Sequence, residues 1–414
     1  MQSSSEMQSC GDTFFQFLPY DHPTMVHMRE VNSRRSIKKP FRSTEHMNRH
    51  ALGFYKNFND LDDVNASSWI ARKMACKISS YVVALSCNSS ILDEDEMQFN
   101  SSFNSSGIVV EYKGTKKILT STYIFGGRSE LRNLEVDVLL PNGAKVRGNV
   151  SYADIYHNVV LIDAEIDSVR SVALSTEFVD LGAQVMSLGR HSQFGVMASR
   201  GTINLRQDDL DSDDLMSSTC IISEGGIGGP LIDQSSGAVI GMNVYISKKS
   251  TSFIPSCILS HCLECLMTNG EVFRPWLGFK AKSLNEKKLV EMDVIYQKFS
   301  STNGIFVTKV TKGSPADLAG ICVDDIITSC NDSLLSSPVE LADLLLKLGK
   351  MDLGVSTRNL KRGSRDIEVI IQRPATRTTF AKIIKFQDFT SPDLNRWSVI
   401  PLDTSFDKSS LILF

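Results

Sequence analysis

The chain has 414 residues, 42% hydrophobic and 22% charged, with a formal net charge of -3. That length exceeds one ordinary core and predicts two or three domains of ordinary globular composition. The near-balanced charge gives no global field to draw nucleic acid, and no run of about 18 apolar residues is present to span a membrane, so neither is an expected partner. The first residues, Met1 to Leu18, lack the basic-then-apolar order of a secretory signal. Nine cysteines, an odd number without framework spacing, fit free thiols in a reducing compartment, so the expected location is intracellular.

Residues 1–68 show no sustained periodicity and are expected to form a disordered or variable arm. Its basic cluster, Arg29, Arg34, Arg35, Lys38, Lys39 and Arg42 beside Pro40, reads either as an address or anion contact or, with more weight, as a solvated charge run. From about 69 the texture changes to short β-like runs. Tyr81–Ser86, Gly107–Tyr112, Lys117–Ser121, Val136–Leu140, Ala144–Val150 and Asn158–Ile162 are separated by turn signals such as Pro141-Asn-Gly143. Evenly spaced short strands predict an all-β barrel or sandwich. Ile258–Met267 has helical apolar spacing. Its Cys262, Cys265 and His261, with the nearby Cys257, are the nearest approach to a metal pattern, but no second ligand pair follows, and no metal or cofactor is expected. From about 274 to 374 strands at Gly304–Val310 and Asp366–Gln372 alternate with helices. Ser314-Pro315 starts one helix and Gly320 ends it. Ser337 to Leu348 is a second, opened by a capping box of Ser337 and Glu340. Residues 375–414 read as a tail with some β-like pieces.

One segment concentrates unusual backbone: Gly225-Gly-Ile-Gly-Gly-Pro230, with Ser223 before it. It resembles the Gly-Asn-Ser-Gly-Gly-Pro nucleophile loop of trypsin-like proteases, the HtrA/Deg family above all. Gly237-Ala-Val-Ile-Gly241, Phe253-Ile-Pro-Ser256, Val185-Met-Ser-Leu-Gly189 and Ser199-Arg-Gly-Thr-Ile203 are similar to further stretches of that family. The resemblance places Ile227 at the serine. Ile118–Ile124 resembles Ile-Leu-Thr-Asn-Ala-His-Val, which puts Tyr123 at the histidine. Asn158-Val-Val-Leu-Ile162 resembles Asp-Leu-Ala-Val-Leu, which puts Asn158 at the aspartate; a one-residue slip would put His157 there. It implies a mainly β fold, a trypsin-like double barrel over 69–270 followed by an α+β PDZ domain over 274–374.

The chemistry follows from the residue types. Isoleucine has no nucleophilic atom. Tyrosine, with an ordinary pKa of about 10, is a poor proton acceptor at neutral pH, and asparagine carries no charge to steady an imidazolium. Gly225, Gly226 and the Ile227 amide then remain as a vestigial oxyanion loop, and no catalytic residue is expected. A rewired serine-type endopeptidase is the alternative, with Ser223, Cys220, His191 or His157 as substitutes. His157 and Asn158 would face opposite ways on one strand.

Arg274-Pro-Trp-Leu-Gly-Phe279, Gly304–Val310, Gly313–Gly320 and Asp324-Asp-Ile-Ile327 resemble HtrA-type PDZ domains, with Asp324 where the family has glycine. The resemblance implies that a peptide or protein C-terminus adds a strand beside Trp276, Leu277, Gly278 and Phe279. The helix from Ser337 would supply Val339, Leu341 and Leu345 as pocket candidates, or these only close the core. The apolar Leu411-Ile-Leu-Phe414 is a candidate to dock in such a groove or to pack as a strand. By resemblance alone, a homo-oligomer or co-assembly with active paralogues is expected, in nucleus, plastid, mitochondrion or cytosol. A scaffold with a purely structural barrel is the third reading.

Overall fold

The computed structural model describes residues 66–92, 98–125, 131–192, 195–204, 214–246, 250–272, 275–351 and 365–388. The basic cluster and the Leu411–Phe414 segment lie outside them. Helix α1 (Ala66–Ile78) comes first and buries Ala71, Ala75 and Ile78 against Met186, Leu188 and Ala198 of the second barrel. Its start lies inside the stretch read as a disordered arm.

Six antiparallel strands close the first barrel: β1 (Val82–Leu92), β2 (Gln98–Tyr112), β3 (Thr115–Thr120), β4 (Glu135–Leu139), β5 (Lys145–Asp154) and β6 (Val159–Ala164), in the order β1-β2-β3-β6-β5-β4. β4 shows why the sequence folds so. Val136 and Val138 are buried and Glu135 and Asp137 exposed, the period-two alternation of a strand with one wet face. Burying each such valine contributes about 1.5 kcal/mol. β6 differs: Val159 to Ile162 are all buried, one face towards each of two apolar clusters. The turn expected at Pro141-Asn-Gly143 joins β4 to β5, with Gly143 at φ 87.

The second barrel closes through β7 (Gln184–His191), β8 (Gly195–Asn204), β9 (Met216–Ser218), β10 (Pro230–Asp233), β11 (Val239–Ile246) and β12 (Thr251–Pro255), in the order β10-β11-β12-β9-β8-β7. Besides shared apolar clusters, hydrogen bonds tie the barrels together around Ser106 and Arg190. Ser106 of β2 accepts from the Arg190 amide through its hydroxyl oxygen at 2.8 Å and donates to the Gly225 carbonyl at 2.5 Å. The Arg190 guanidinium donates to the carbonyls of Val82 and Ser79, both at 2.7 Å.

Helix α2 (Ser256–Asn269) closes the second barrel and ends on Gly270 at φ 77. A mixed unit follows: β13 (Pro275–Trp276), β14 (Phe279–Ser283), α3 (Leu289–Phe299), β15 (Ile305–Val310), α4 (Pro315–Ala319), β16 (Ile326–Cys330), β17 (Ser333–Leu334), α5 (Pro338–Met351), β18 (Arg365–Arg373) and β19 (Thr378–Asp388). Its sheet runs β13-β19-β18-β16-β15-β14, with β17 on β16. The capping signals are realised. Ser314 accepts from the Asp317 amide, and the Ser337 hydroxyl and Glu340 carboxylate each meet the other's backbone amide at 3.4 Å. Asp324 takes φ 68, so this non-glycine residue holds the left-handed turn itself. β19, within the stretch read as a tail, pairs with β18 from Thr378–Arg373 to Phe386–Arg365.

The sheet unit and the second barrel meet through helices. Val339 and Leu346 of α5 share an apolar cluster with Cys257, Ile258, Cys262, Cys265 and Leu266 of α2. Inside the contact, His261 Nε2 and Asp343 Oδ1 are 3.0 Å apart, and Lys347 Nζ lies 2.6 Å from Asp343 Oδ2. Burial alone would raise the Asp343 pKa, but these two partners hold the carboxyl below its ordinary range.

Candidate functional site

The glycine-rich loop connects β9 to β10. Ser223 is extended (φ -95, ψ 175), Glu224–Gly226 form one 3-10 turn, and Ile227 is extended again. Within that turn the Gly226 amide donates to the Ser223 carbonyl at 2.8 Å and the Ile227 amide to the Glu224 carbonyl at 2.9 Å. Gly228 sits at φ 76 with its amide on the Asn243 carbonyl at 2.7 Å. A side chain there would run into the Ser106 carbonyl and the Thr120 hydroxyl, so positive φ and close approach both demand glycine. The Ser106 amide completes the frame on the Ile227 carbonyl at 2.8 Å.

The three positions matched to serine, histidine and aspartate lie together. Ile227, only 4% exposed, packs in one apolar cluster with Met197 and Ile222, against which Tyr123 and Ile246 lie half-buried. Asn158 Oδ1 accepts from the Ser121 hydroxyl (2.8 Å), the Thr122 amide (2.8 Å) and the Thr122 hydroxyl (2.7 Å), immediately before Tyr123. Three donors on one oxygen make an environment suited to a carboxylate. Asn158 stands in the turn before β6 at φ 55, not on the strand as expected, so the opposite-faces argument separating it from His157 does not apply. His157 is held elsewhere: its Nδ1 lies 3.0 Å from Asp154 Oδ2, both side chains buried.

In the loop read as an oxyanion loop, the Ile227 amide is turned into the 3-10 turn. An oxyanion pocket needs amides aimed outward at the reacting oxygen. The substitutes are no better placed. Ser223 Oγ is buried without a hydrogen-bond partner, so no base receives its proton. The Cys220 thiol is buried and faces the Val185 carbonyl at 3.9 Å. His191 lies beside Gly225, and burial lowers its pKa from the ordinary histidine value. Of the cysteine–histidine group on α2, Cys257 has its thiol pushed up to about 12, by burial first and then by the Asp343 charge, and His261 meets Asp343.

A second glycine-bearing loop opens the sheet unit. Trp276 belongs to β13, half-buried; Leu277 is buried; Gly278 has φ 80; Phe279 starts β14. The Leu277 carbonyl accepts from the Ala316 amide at 3.0 Å, and the Gly278 carbonyl from the Thr311 amide at 2.8 Å and the Ser314 hydroxyl at 3.2 Å. In a trans peptide the N–H points opposite to the C=O of the same unit, so the Gly278 and Phe279 amides are directed away from Ala316 and Thr311. β14 ends the sheet order and α5 packs beside it. Leu341 and Leu345 share the cluster of Leu277 and Ala281. Val339 does not: it belongs to the cluster around α2.

Comparison with known proteins resolves the two units. Residues 105–242 match the family of trypsin-like peptidase domains and residues 306–349 match PDZ domains. The relatives to which this chain is similar are serine proteases of the HtrA/DegP type. It is 28% identical over 268 residues to the serine protease Do-like HtrA of Lactococcus lactis subsp. cremoris, covering 58% of this chain and 64% of that one. It is 28% identical over 322 residues to a probable periplasmic serine endoprotease, DegP-like, of Hahella chejuensis, covering 74% of this chain and 65% of that one. The chain thus spans less than two thirds of the length of these relatives. Among solved structures, the HtrA-type protease AlgW with a tripeptide shares the fold, at a TM-score of 0.51 and 17% identity over 78% of this chain and 98% of that one.

Proposed function

We propose that this chain is an HtrA/DegP-type pseudoprotease that binds peptides or unfolded protein segments through its PDZ domain. One observation carries the reading. At the nucleophile position stands a buried isoleucine, packed on the residue at the base position, with its amide bonded back into the loop. Acyl transfer there lacks nucleophile, base and oxyanion donor together, and loss of serine or histidine alone in a comparable enzyme costs about 10⁶ in turnover. The turned-out amides of Gly278 and Phe279 and the terminal position of β14 support strand addition with capture of a terminal carboxylate. Leu341 and Leu345 form the apolar floor that a ligand side chain would meet. Oligomerisation, or assembly with an active paralogue, is the expected context.

The test is to follow an unfolded casein-type substrate with the native chain, with Ile227→Ser, and with a variant that adds Tyr123→His and Asn158→Asp. The reading expects no cleavage by the native chain, none by the single variant, and measurable cleavage by the triple variant. Cleavage by the native chain would reject it and point to a displaced nucleophile.

A further inference from the structure

Helix α5 is packed on two opposite sides. Val339, Ala342 and Leu346, at three- and four-residue spacing, face α2 of the second barrel. Leu341 and Leu345, with the half-buried Leu344 and Leu348, face the sheet. The helix therefore stands between the barrel and the β14 edge, where a peptide strand would be added. Its start is tied to the far end of β14. The Ser283 hydroxyl donates to the Ser336 carbonyl at 2.7 Å, and the Glu340 carboxylate accepts from the Ser336 amide at 2.6 Å.

The back of α5 carries a polar contact inside the apolar one. The Asp343 side chain, 4% exposed, has His261 Nε2 at 3.0 Å on one oxygen and Lys347 Nζ at 2.6 Å on the other. Lys347 lies one turn further along α5 itself, so of the two pairs His261–Asp343 is the one that crosses between domains. His261 Nδ1 is buried and has no hydrogen-bond partner among the described residues. The ring is thus held from one side, by a carboxylate of the other domain. Breaking that pair would leave two buried polar groups unpaired, which makes the contact specific as well as close.

A strand that lies between β14 and α5 needs the helix at one distance from the sheet edge. A helix unsupported on its back would sample a range of positions, and ordering it on binding would cost affinity. Docked on α2, it is already placed. We propose that the barrel is a backing clamp for the peptide groove: through His261 and Asp343 it holds α5 at the spacing a bound strand requires. Both are positioning residues, on the side of α5 away from β14. The inference rests on the peptide-binding reading above and adds a task for the barrel that involves no catalysis. Such coupling is reciprocal, so a peptide that fixes α5 also steadies α2.

The test uses the full chain and three fluorescein-labelled decapeptides, ending in triple valine, triple leucine or triple phenylalanine, with binding read by fluorescence anisotropy. His261→Ala should weaken the peptides that bind by about tenfold. His261→Gln, whose amide can still donate to Asp343, should recover most of that loss. Hydrogen exchange of the native chain gives a second reading that needs no variant. Saturating peptide should slow exchange in α2 as well as in α5 and β14, and in His261→Ala the slowing should stay within the PDZ domain. Unchanged or tighter binding by His261→Ala, or no slowing in α2 of the native chain, overturns the clamp and leaves peptide binding standing. Binding of none of the three peptides to the native chain overturns the peptide-binding reading and the clamp with it.

Discussion

The Gly225–Gly229 loop of the second barrel and the Leu277–Phe279 loop of the PDZ domain use the same device with opposite results. Each holds a glycine at positive φ where neighbouring atoms leave no room for a side chain: Gly228 against the Ser106 carbonyl, Gly278 against the Ser314 side chain. In the barrel loop the amide at the central position turns inward onto the Glu224 carbonyl. In the PDZ loop the carbonyls turn inward, onto Ala316, Thr311 and Ser314, which sends the amides outward. Glycines alone thus do not make an anion pocket. The partners that fix the carbonyls decide which way the amides point: inward in the barrel loop, outward in the PDZ loop.

The largest way to break this contrast is Gly278→Val. The substituted residue would need φ 80 and would collide with Ser314. Peptide binding should be lost altogether, with a stability cost of about 3 kcal/mol. Anisotropy with denaturant unfolding reads both, and retained binding would detach the ligand from this loop. Nearly as large is Asp343→Ala, which leaves His261 and Lys347 without their shared carboxylate at the α2–α5 contact and should cost about 3 kcal/mol. Hydrogen exchange should quicken in both helices, not in α5 alone.

Ile227→Ala empties part of the cluster with Met197 and Ile222 and should cost about 2 kcal/mol, as a core position does. An unchanged melting curve would contradict the filled cleft.

The pH dependence separates the two regions. Asp343 has a depressed folded pKa, so its contribution is complete above the unfolded value of about 3.9 and fades as pH falls through the still lower folded value. His191, beside the barrel loop, is also depressed, but it is a cation when protonated. Below about 6.5 the unfolded chain binds a proton that the folded chain does not, so stability there begins to fall at mild acidity. The second barrel should lose stability as pH falls below about 6.5, before the α2–α5 contact does; His191→Gln should flatten that slope in a pH series of melts. The smallest effect concerns thiols. Alkylation of the native chain near pH 8, mapped by mass spectrometry, should modify the exposed Cys76 and Cys322 and spare Cys257, whose thiol is pushed to about 12.

Much of this was readable in the residues. The strand runs of the first barrel, the turn at Pro141–Gly143 and the capped starts of α4 and α5 follow from alternation and capping chemistry. Other features were not. α3 escaped because Leu289, Val290 and Val294 are exposed and only Ile295 is buried, so no buried stripe marks it as a helix. β19 reads only as β-like pieces of a tail, because polar residues interrupt its apolar ones and its pairing with β18 is visible only in space. α5 has apolar residues on two faces, Val339 and Leu346 towards α2, Leu341 and Leu345 towards β14. Spacing alone could not say which face meets a ligand. Nor could it place Asn158, which is fixed by the donors of Ser121 and Thr122.

The most direct measurement is fluorophosphonate labelling of the purified native chain, read by intact mass, beside the triple variant Tyr123→His, Asn158→Asp, Ile227→Ser. The account predicts no added mass on the native chain and a single adduct on the variant, at position 227. An adduct on the native chain, at Ser223 or any other residue, would contradict it.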